Sequence, residues 1–354
     1  MSAPLIKREP FGTLPDGAAV ERFSLHNRRG MEVDILSYGG IVMRLTAPDR
    51  AGRYGDVVLG HRSLADYLAN SQYFGCLIGR TANRIRQGRF VIAGVEHSLG
   101  VNNGEHSLHG GVRGFDKALW RVAAADMTSK GPALSLEYVS RDGEEGYPGT
   151  LSASAVFTLG DDDALTLNFA AATDQHTIVN LTQHSYFNLN GAPDVLGHVL
   201  RMPAQRFTVT DRSQIPTGEL RPVTGGPFDF RQSMAIGERI DADDEQLRIG
   251  NGYDHHWVID KAPGELGLVA SVFEPQSGRQ LNVLSTAPGV QFYSGNSLDG
   301  SLTGKGGRSY GFRAGLCLEP QGFPDAPNQP AFPSVELRPG EVYRSTIIHR
   351  FDCL

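Results

Sequence analysis

The chain of 354 residues carries 33 basic and 39 acidic side chains for a formal net charge of −6, and 40% of it is hydrophobic. That length allows two average domains or one large all-β unit with a sizeable core. The charge forms no basic block, which excludes the footprint of a nucleic-acid binder, and no apolar run of about 18 residues offers a membrane-spanning helix.

In chain order, Met1–Leu14 holds no apolar stretch long enough for a signal peptide, so the expected location is the cytoplasm. Met31, Val33 and Ile35 alternate as one face of a strand, Gly39-Gly40 punctuates it, and Ile41, Met43 and Leu45 resume the pattern. Ser63-Leu-Ala-Asp66 reads as a capping box opening a short helix through Leu68. Leu151, Ala153, Ala155, Phe157 and Leu159 share a face, and Leu165, Leu167, Phe169 and Ala171 repeat it after Gly160–Asp163, which predicts an antiparallel hairpin. The acidic runs Asp161–Asp163 and Asp241–Glu245 are expected in solvated turns. Arg338-Pro-Gly-Glu341 predicts a turn between strands near Val335–Leu337 and Val342–Ile348. Cys76, Cys317 and Cys353 form no CxxC pair and are expected as buried, reduced thiols. With 43 Gly and 20 Pro and few helical signals, the pattern predicts one large antiparallel β-sandwich, all-β with few short helices, as a single domain over 1–354.

No GxxxxGK[ST], no GxGxxG opening a helix, no HExxH and no GxSxG occurs, so the familiar nucleotide, zinc-protease and serine-hydrolase chemistries have no foothold. Six segments instead set polar groups among Gly, Asn and aromatics. They are Gly79-Arg-Thr-Ala-Asn-Arg84, Asn103–Gly111, Asn180–Asn188, Tyr253-Asp-His-His256, Gln291–Asn296 and Leu318-Glu-Pro-Gln321. Together they supply histidines, a carboxylate base candidate, a second acid, an arginine and several amides. That inventory suits proton transfer on a neutral polyhydroxylated ligand.

The blocks GRTANRI, HSLHGGVRGFDKALW, VNLTQHSYFNLNG, YDHHW, VQFYSGN and LEPQGFPDAPNQPAFP resemble the signature blocks of the aldose 1-epimerase (galactose mutarotase) family, in that family's order and spacing. The resemblance covers nearly the whole chain. It implies a super-sandwich with an open cleft for a pyranose, no cofactor and no metal, and a free monosaccharide as the substrate. It further implies that Glu319 is the base that takes the anomeric hydroxyl proton and His184 the acid that protonates the ring oxygen. His109, Arg84, Asp254 and Gln291, with Asn83 beside them, match positions that contact sugar hydroxyls or developing charge. The chemistry asks for an ionised base and an at least partly protonated acid, which a carboxylate and an imidazolium can supply together near neutral pH.

Other readings stay open at this stage. His106 lies three residues before His109 and is read as a surface or supporting residue, and the His255-His256 pair as no metal site. Glu144-Glu145 belongs to a Gly- and Pro-rich loop. Phe74, Tyr186, Phe187, Trp257 and Phe292 are core by composition, although one of them could face the sugar ring. A sugar-binding protein without turnover, or an enzyme for a phosphorylated sugar or lactone, would share this fold. A phosphate would call on further cations such as Arg113, Lys117 or Arg313. Monomer and weak homodimer are both acceptable, with no nucleic-acid or membrane partner.

Overall fold

The computed structural model describes residues 4–69 and 72–354, so the first three residues of the stretch Met1–Leu14 lie outside the described residues. The hairpin expected from alternation is present. Leu151–Leu159 pairs with Ala164–Thr173 in unbroken register, Leu151 opposite Thr173 through Leu159 opposite Leu165. The odd-numbered residues from Leu151 to Leu159 and from Leu165 to Ala171 enter the main hydrophobic cluster, as a half-buried pleated surface requires.

This hairpin anchors a nine-stranded sheet. Its order is Arg121–Thr128, Gly131–Ser140, Leu151–Leu159, Ala164–Thr173, Tyr343–Cys353, Arg279–Ser285, Gly267–Phe273, Val199–Arg201 and Met234–Ala235. A five-stranded antiparallel sheet runs in chain order from Leu5–Thr13 to Tyr54–Asp56. A six-stranded sheet takes the order Tyr186–Phe187, Leu316–Gln321, Gly289–Tyr293, Asp254–Ile259, Ala204–Thr210 and Pro216–Pro222. Phe23 and Val33 from the first of these smaller sheets, Phe157 and Ile347 from the largest, and Trp257 and Leu318 from the six-stranded one join a single hydrophobic cluster. One face of the six-stranded sheet is thereby committed to the core. Its other face is left for polar side chains.

Several expectations are refined. The pairing of Glu32–Leu36 with Val42–Pro48 shifts register between Asp34 and Ile35, where Met43 is the extra residue of the second strand. Beyond it Ile41 and Met43 pack in a second cluster with Phe74, Tyr186 and Cys317, while Leu45 stays in the main one. The helix Leu64–Ala69 opens as predicted, with Ser63 Oγ accepting the Asp66 N–H at 3.2 Å. The Arg338–Glu341 turn forms, but its flanking strands part: Glu336–Leu337 pairs with Thr177–Ile178, and Tyr343–Cys353 enters the large sheet. Cys353 is exposed, unlike Cys76 and Cys317. Among the described residues no helix is long and apolar enough to cross a membrane.

The acidic run Asp161–Asp163 is only partly solvated. Asp161 and Asp162 are exposed, but Asp163 is buried and takes φ 55°. Asn27 explains its burial. Its Nδ2 donates to Asp163 Oδ1 at 2.8 Å and to the Gly160 carbonyl at 2.9 Å, while its Oδ1 accepts the N–H groups of Arg29, Gly30 and Met31. One side chain thus clasps two hairpin turns far apart in sequence. Asn27→Ala is expected to reduce the unfolding free energy by about 3 kcal/mol, because it strands buried donors and a buried carboxyl. The readout is a lower urea midpoint at unchanged m-value; an unmoved midpoint would show that the turns hold without the clasp.

Candidate active site

The cleft lies on the polar face of the six-stranded sheet. Alternation along its three central strands sets the floor: Asp254 is opposite Tyr293, His256 opposite Gln291, and Gln291 opposite Glu319. Glu319 points away from the core that its neighbour Leu318 enters. The walls come from short pairings. Arg84–Ile85 pairs with Ser107–Leu108, and Thr182–Gln183 with Leu77–Ile78. Two left-handed residues, Asn83 at φ 61° and His109 at φ 53°, turn the wall inward. Gly110 is required beside them, since at φ 93° a Cβ there would collide with the Gly79 carbonyl.

Asn83, Arg84, His109, His184, Asp254, Gln291 and Glu319 all line one cavity of about 600 Å³. His184 Nε2 stands 3.6 Å from Glu319 Oε1. The His184 ring lies between two aromatics, stacked on Tyr186 at 5.1 Å and on Tyr73 at 5.7 Å between centroids. Its Nδ1 meets the buried Cys317 Sγ at 3.6 Å. His109 meets His184 edge-on at 5.2 Å.

On the opposite side a polar lattice holds the second acid. Gln291 Nε2 donates to Asp254 Oδ1 at 2.7 Å, and Gln214 Nε2 donates to Asp254 Oδ2 at 3.0 Å. Arg84 donates from Nη2 to Gln214 Oε1 at 2.6 Å and from Nε to Asn103 Oδ1 at 3.1 Å, and its guanidinium lies 3.8 Å from Asp254. Such a fixed array of donors and acceptors matches vicinal hydroxyls, each of which gives one hydrogen bond and takes others.

Burial bears on the protonation of the Glu319–His184 pair. Burial pushes the Glu319 carboxyl well above its ordinary range, nearby Asp254 adds to this, and Arg84 opposes it. Burial also lowers His184 to about 4, and lowers His109 well below its usual value with help from His184 and Arg84. Desolvation penalises both charged forms. Burial thus works against a charged carboxylate facing a charged imidazolium and favours the neutral form of each group.

Among the described residues, His109, His184 and Glu319 are the group of His, Cys, Asp and Glu whose ligand atoms come within 4.8 Å of one another. Their chemistry suits proton handling better than a metal. His109 Nδ1 accepts the Asn83 N–H at 3.2 Å, which puts the ring proton of the neutral imidazole on Nε2 as a donor, whereas a metal-bound histidine gives its other N–H to an acceptor. Asp254, His255 and His256 do not converge. His255 faces the core against Phe228 and Phe207, and His256 shares the Asp254 face at a deeper level beside Phe323. His106 is buried, and its Nδ1 accepts the Gln87 N–H at 3.0 Å. Glu145 accepts the N–H groups of Val112 and Arg113, while Glu144 accepts from Tyr138 and Ser140.

Sequence reasoning missed Tyr73, Gln214 and Arg212, all of which line the cavity. Tyr73 and Gln214 take φ of 59° and 62°, and neither carries a residue type that announces such a turn. The suggested extra phosphate cations are elsewhere: Lys117 pairs with Asp116 at 2.9 Å and Arg313 with Asp241 at 3.2 Å, and neither they nor Arg113 line the cavity.

This geometry has relatives throughout the chain. The family description Aldose 1-epimerase matches residues 21–350. A galactose mutarotase from Sus scrofa is 46% identical over 344 residues, 96% of this chain and 97% of its own length. An aldose 1-epimerase from Escherichia coli is 36% identical over 340 residues, 95% of this chain and 96% of its own. The crystal structure of an aldose epimerase homologue from C. elegans superposes with a TM-score of 0.87 at 30% identity, covering 95% of this chain and all of that one. A galactose 1-epimerase from Lactobacillus acidophilus gives 0.87 at 26% identity, covering 99% of each. With its sandwich, its cleft and its full-length relatives in agreement, the chain belongs to the aldose 1-epimerase family.

Proposed function

We propose that this chain interconverts the α and β anomers of a free aldose, with Glu319 and His184 as the proton-transferring pair. The observation that carries this is the 3.6 Å approach of His184 Nε2 to Glu319 Oε1 in a cleft otherwise lined by hydroxyl-binding groups. In ring opening, Glu319 takes the proton of the anomeric hydroxyl and His184 gives one to the ring oxygen. Rotation about C1–C2 exposes the other face of the aldehyde, and reclosure runs the two transfers backwards. The step starts from the form of the pair that carries its proton on His184, which has the same net charge as the form with the proton on Glu319. His109 donates from Nε2 to a sugar oxygen, and Arg84, Asn83, Asp254 and Gln291 hold the ring hydroxyls. No step is routed through a metal or cofactor. The named relatives make galactose the first sugar to try. The rest of the proposal is a single domain over 1–354, working as a monomer or weak homodimer in the cytoplasm.

Polarimetry of freshly dissolved α-D-galactose, α-D-glucose and α-D-xylose tests the activity. Faster approach to an unchanged final rotation is the expected result, and no acceleration with any of them would leave a sugar-binding protein without turnover. The same assay gives the pH dependence. Catalysis requires one proton in the pair, so kcat/KM is expected to hold down to about pH 4, where His184 takes a second proton and the pair loses its base. The alkaline limb should fall above the ordinary carboxylate range, as Glu319 gives up its raised proton. An acid limb near 6.5, the value of an unperturbed imidazole, would overturn the shared-proton account.

A further inference from the structure

Four polar side chains adjoin one another in the sheet around and behind the reacting carboxyl. His256, Gln291 and Glu319 are paired across the three central strands, and Gln321 lies two residues beyond Glu319 on the same face. All four are buried, Gln291 the most exposed at 4%. Six of their atoms find no hydrogen-bond partner among the described residues: both nitrogens of His256, both amide atoms of Gln321, Oε1 of Gln291 and Oε2 of Glu319. Gly289 shows how they fit. It stands opposite both Gln321 and Val258, and a Cβ there would collide with His256 Nε2. The imidazole therefore lies over Gly289, towards Gln321, and the Phe323 ring packs against it at 4.9 Å.

Buried polar atoms are almost always satisfied, and where the protein supplies no partner, internal water does. We propose that His256, Gln321, Gln291 and Glu319 enclose ordered water that hydrogen-bonds Glu319 Oε2, which makes His256 and Gln321 positioning residues for the carboxyl. The inference rests on the mutarotase reading, in which Glu319 must both give and take a proton through the oxygen nearest His184. The terminal torsion of a glutamate is broad and weakly held. A hydrogen bond on Oε2 fixes the carboxyl plane so that Oε1 stays aimed at His184. An imidazole and an amide each offer a donor and an acceptor, so the enclosed water can turn to donate to a carboxylate or accept from a carboxylic acid. Neither protonation state of Glu319 is then left unsatisfied.

A high-resolution crystal structure of the sugar-free protein is the first test. Ordered water within hydrogen-bond distance of both Glu319 Oε2 and either His256 or Gln321 is expected, and a dry layer overturns the proposal whatever the activity. That arm is independent of the mutarotase reading, which polarimetry decides separately. In kinetics, His256→Leu and Gln321→Leu are each expected to lower kcat about tenfold at unchanged KM, the cost of a small misplacement of the reacting group. His256→Gln, which keeps a donor and an acceptor, is expected to retain most of the rate. Equal loss in His256→Gln and His256→Leu, or an effect on KM alone, would mark the layer as packing and overturn the positioning role. If His256→Leu fails to fold, Gln321→Leu and the wild-type crystal carry the test.

Discussion

Glu319→Gln is expected to lower kcat by about 10²–10⁴-fold, the range for loss of a positioned acid or base, with no loss of thermal stability. Both halves follow from the site. Gln fills the same volume but cannot take the anomeric proton. Burial already pushes the carboxyl towards its neutral form, so exchanging it for an amide relieves a group that is costly to ionise. Polarimetric kcat beside a melting curve gives the answer. A variant that turns over near the wild-type rate would remove Glu319 from the chemistry, and one that is inactive only because it melts early would make it structural.

His184→Asn is expected to fall by a similar factor, about 10²-fold or more. Asn keeps a hydrogen-bonding group in the wall but can neither receive the proton from Glu319 nor pass one to the ring oxygen. Tyr73 and Tyr186, which stack on the imidazole, lose that contact as well, so some rise in KM should accompany the fall. The double variant Glu319→Gln/His184→Asn is the sharper measurement. Two residues that share one proton act as a unit, and their losses do not add. The double is therefore expected to be no slower than the worse single, whereas multiplicative losses would show two independent roles.

The legible parts of this protein were those governed by local rules. The Leu151–Ala171 hairpin follows from period-two alternation alone, and its register came out unbroken. The Ser63 cap could be read because its donor and acceptor are three residues apart. The seven site residues reached one cavity through motif resemblance. Geometry then explains the grouping, since cross-strand pairs align Asp254, Gln291 and Glu319 on one face.

What escaped depends on distant partners. Asp163 looks like any acidic turn residue until Asn27 reaches it from the turn between Ala19–His26 and Glu32–Leu36 of the five-stranded sheet. Gln214 bridges Arg84 and Asp254 without any motif of its own. Cys353 was read as buried because thiols usually are, but it falls at an exposed strand end. The direction in which burial pushes the pair was out of reach for a related reason. A sequence shows which groups titrate, whereas the extent of their desolvation belongs to the packed site.

The position of Tyr343–Cys353 in the middle of the nine-stranded sheet, between Ala164–Thr173 and Arg279–Ser285, bears on how the chain is made. A nascent polypeptide that has emerged only as far as Ser285 holds both flanking strands but not the one that joins them. Two rows of unpaired amides and carbonyls then stay open until residues 343–353 leave the ribosome, and open edges invite pairing with other chains. Bridging strands so far apart in sequence is also slow. Synthesis stalled before Tyr343 should thus yield aggregation-prone fragments rather than a smaller stable sandwich.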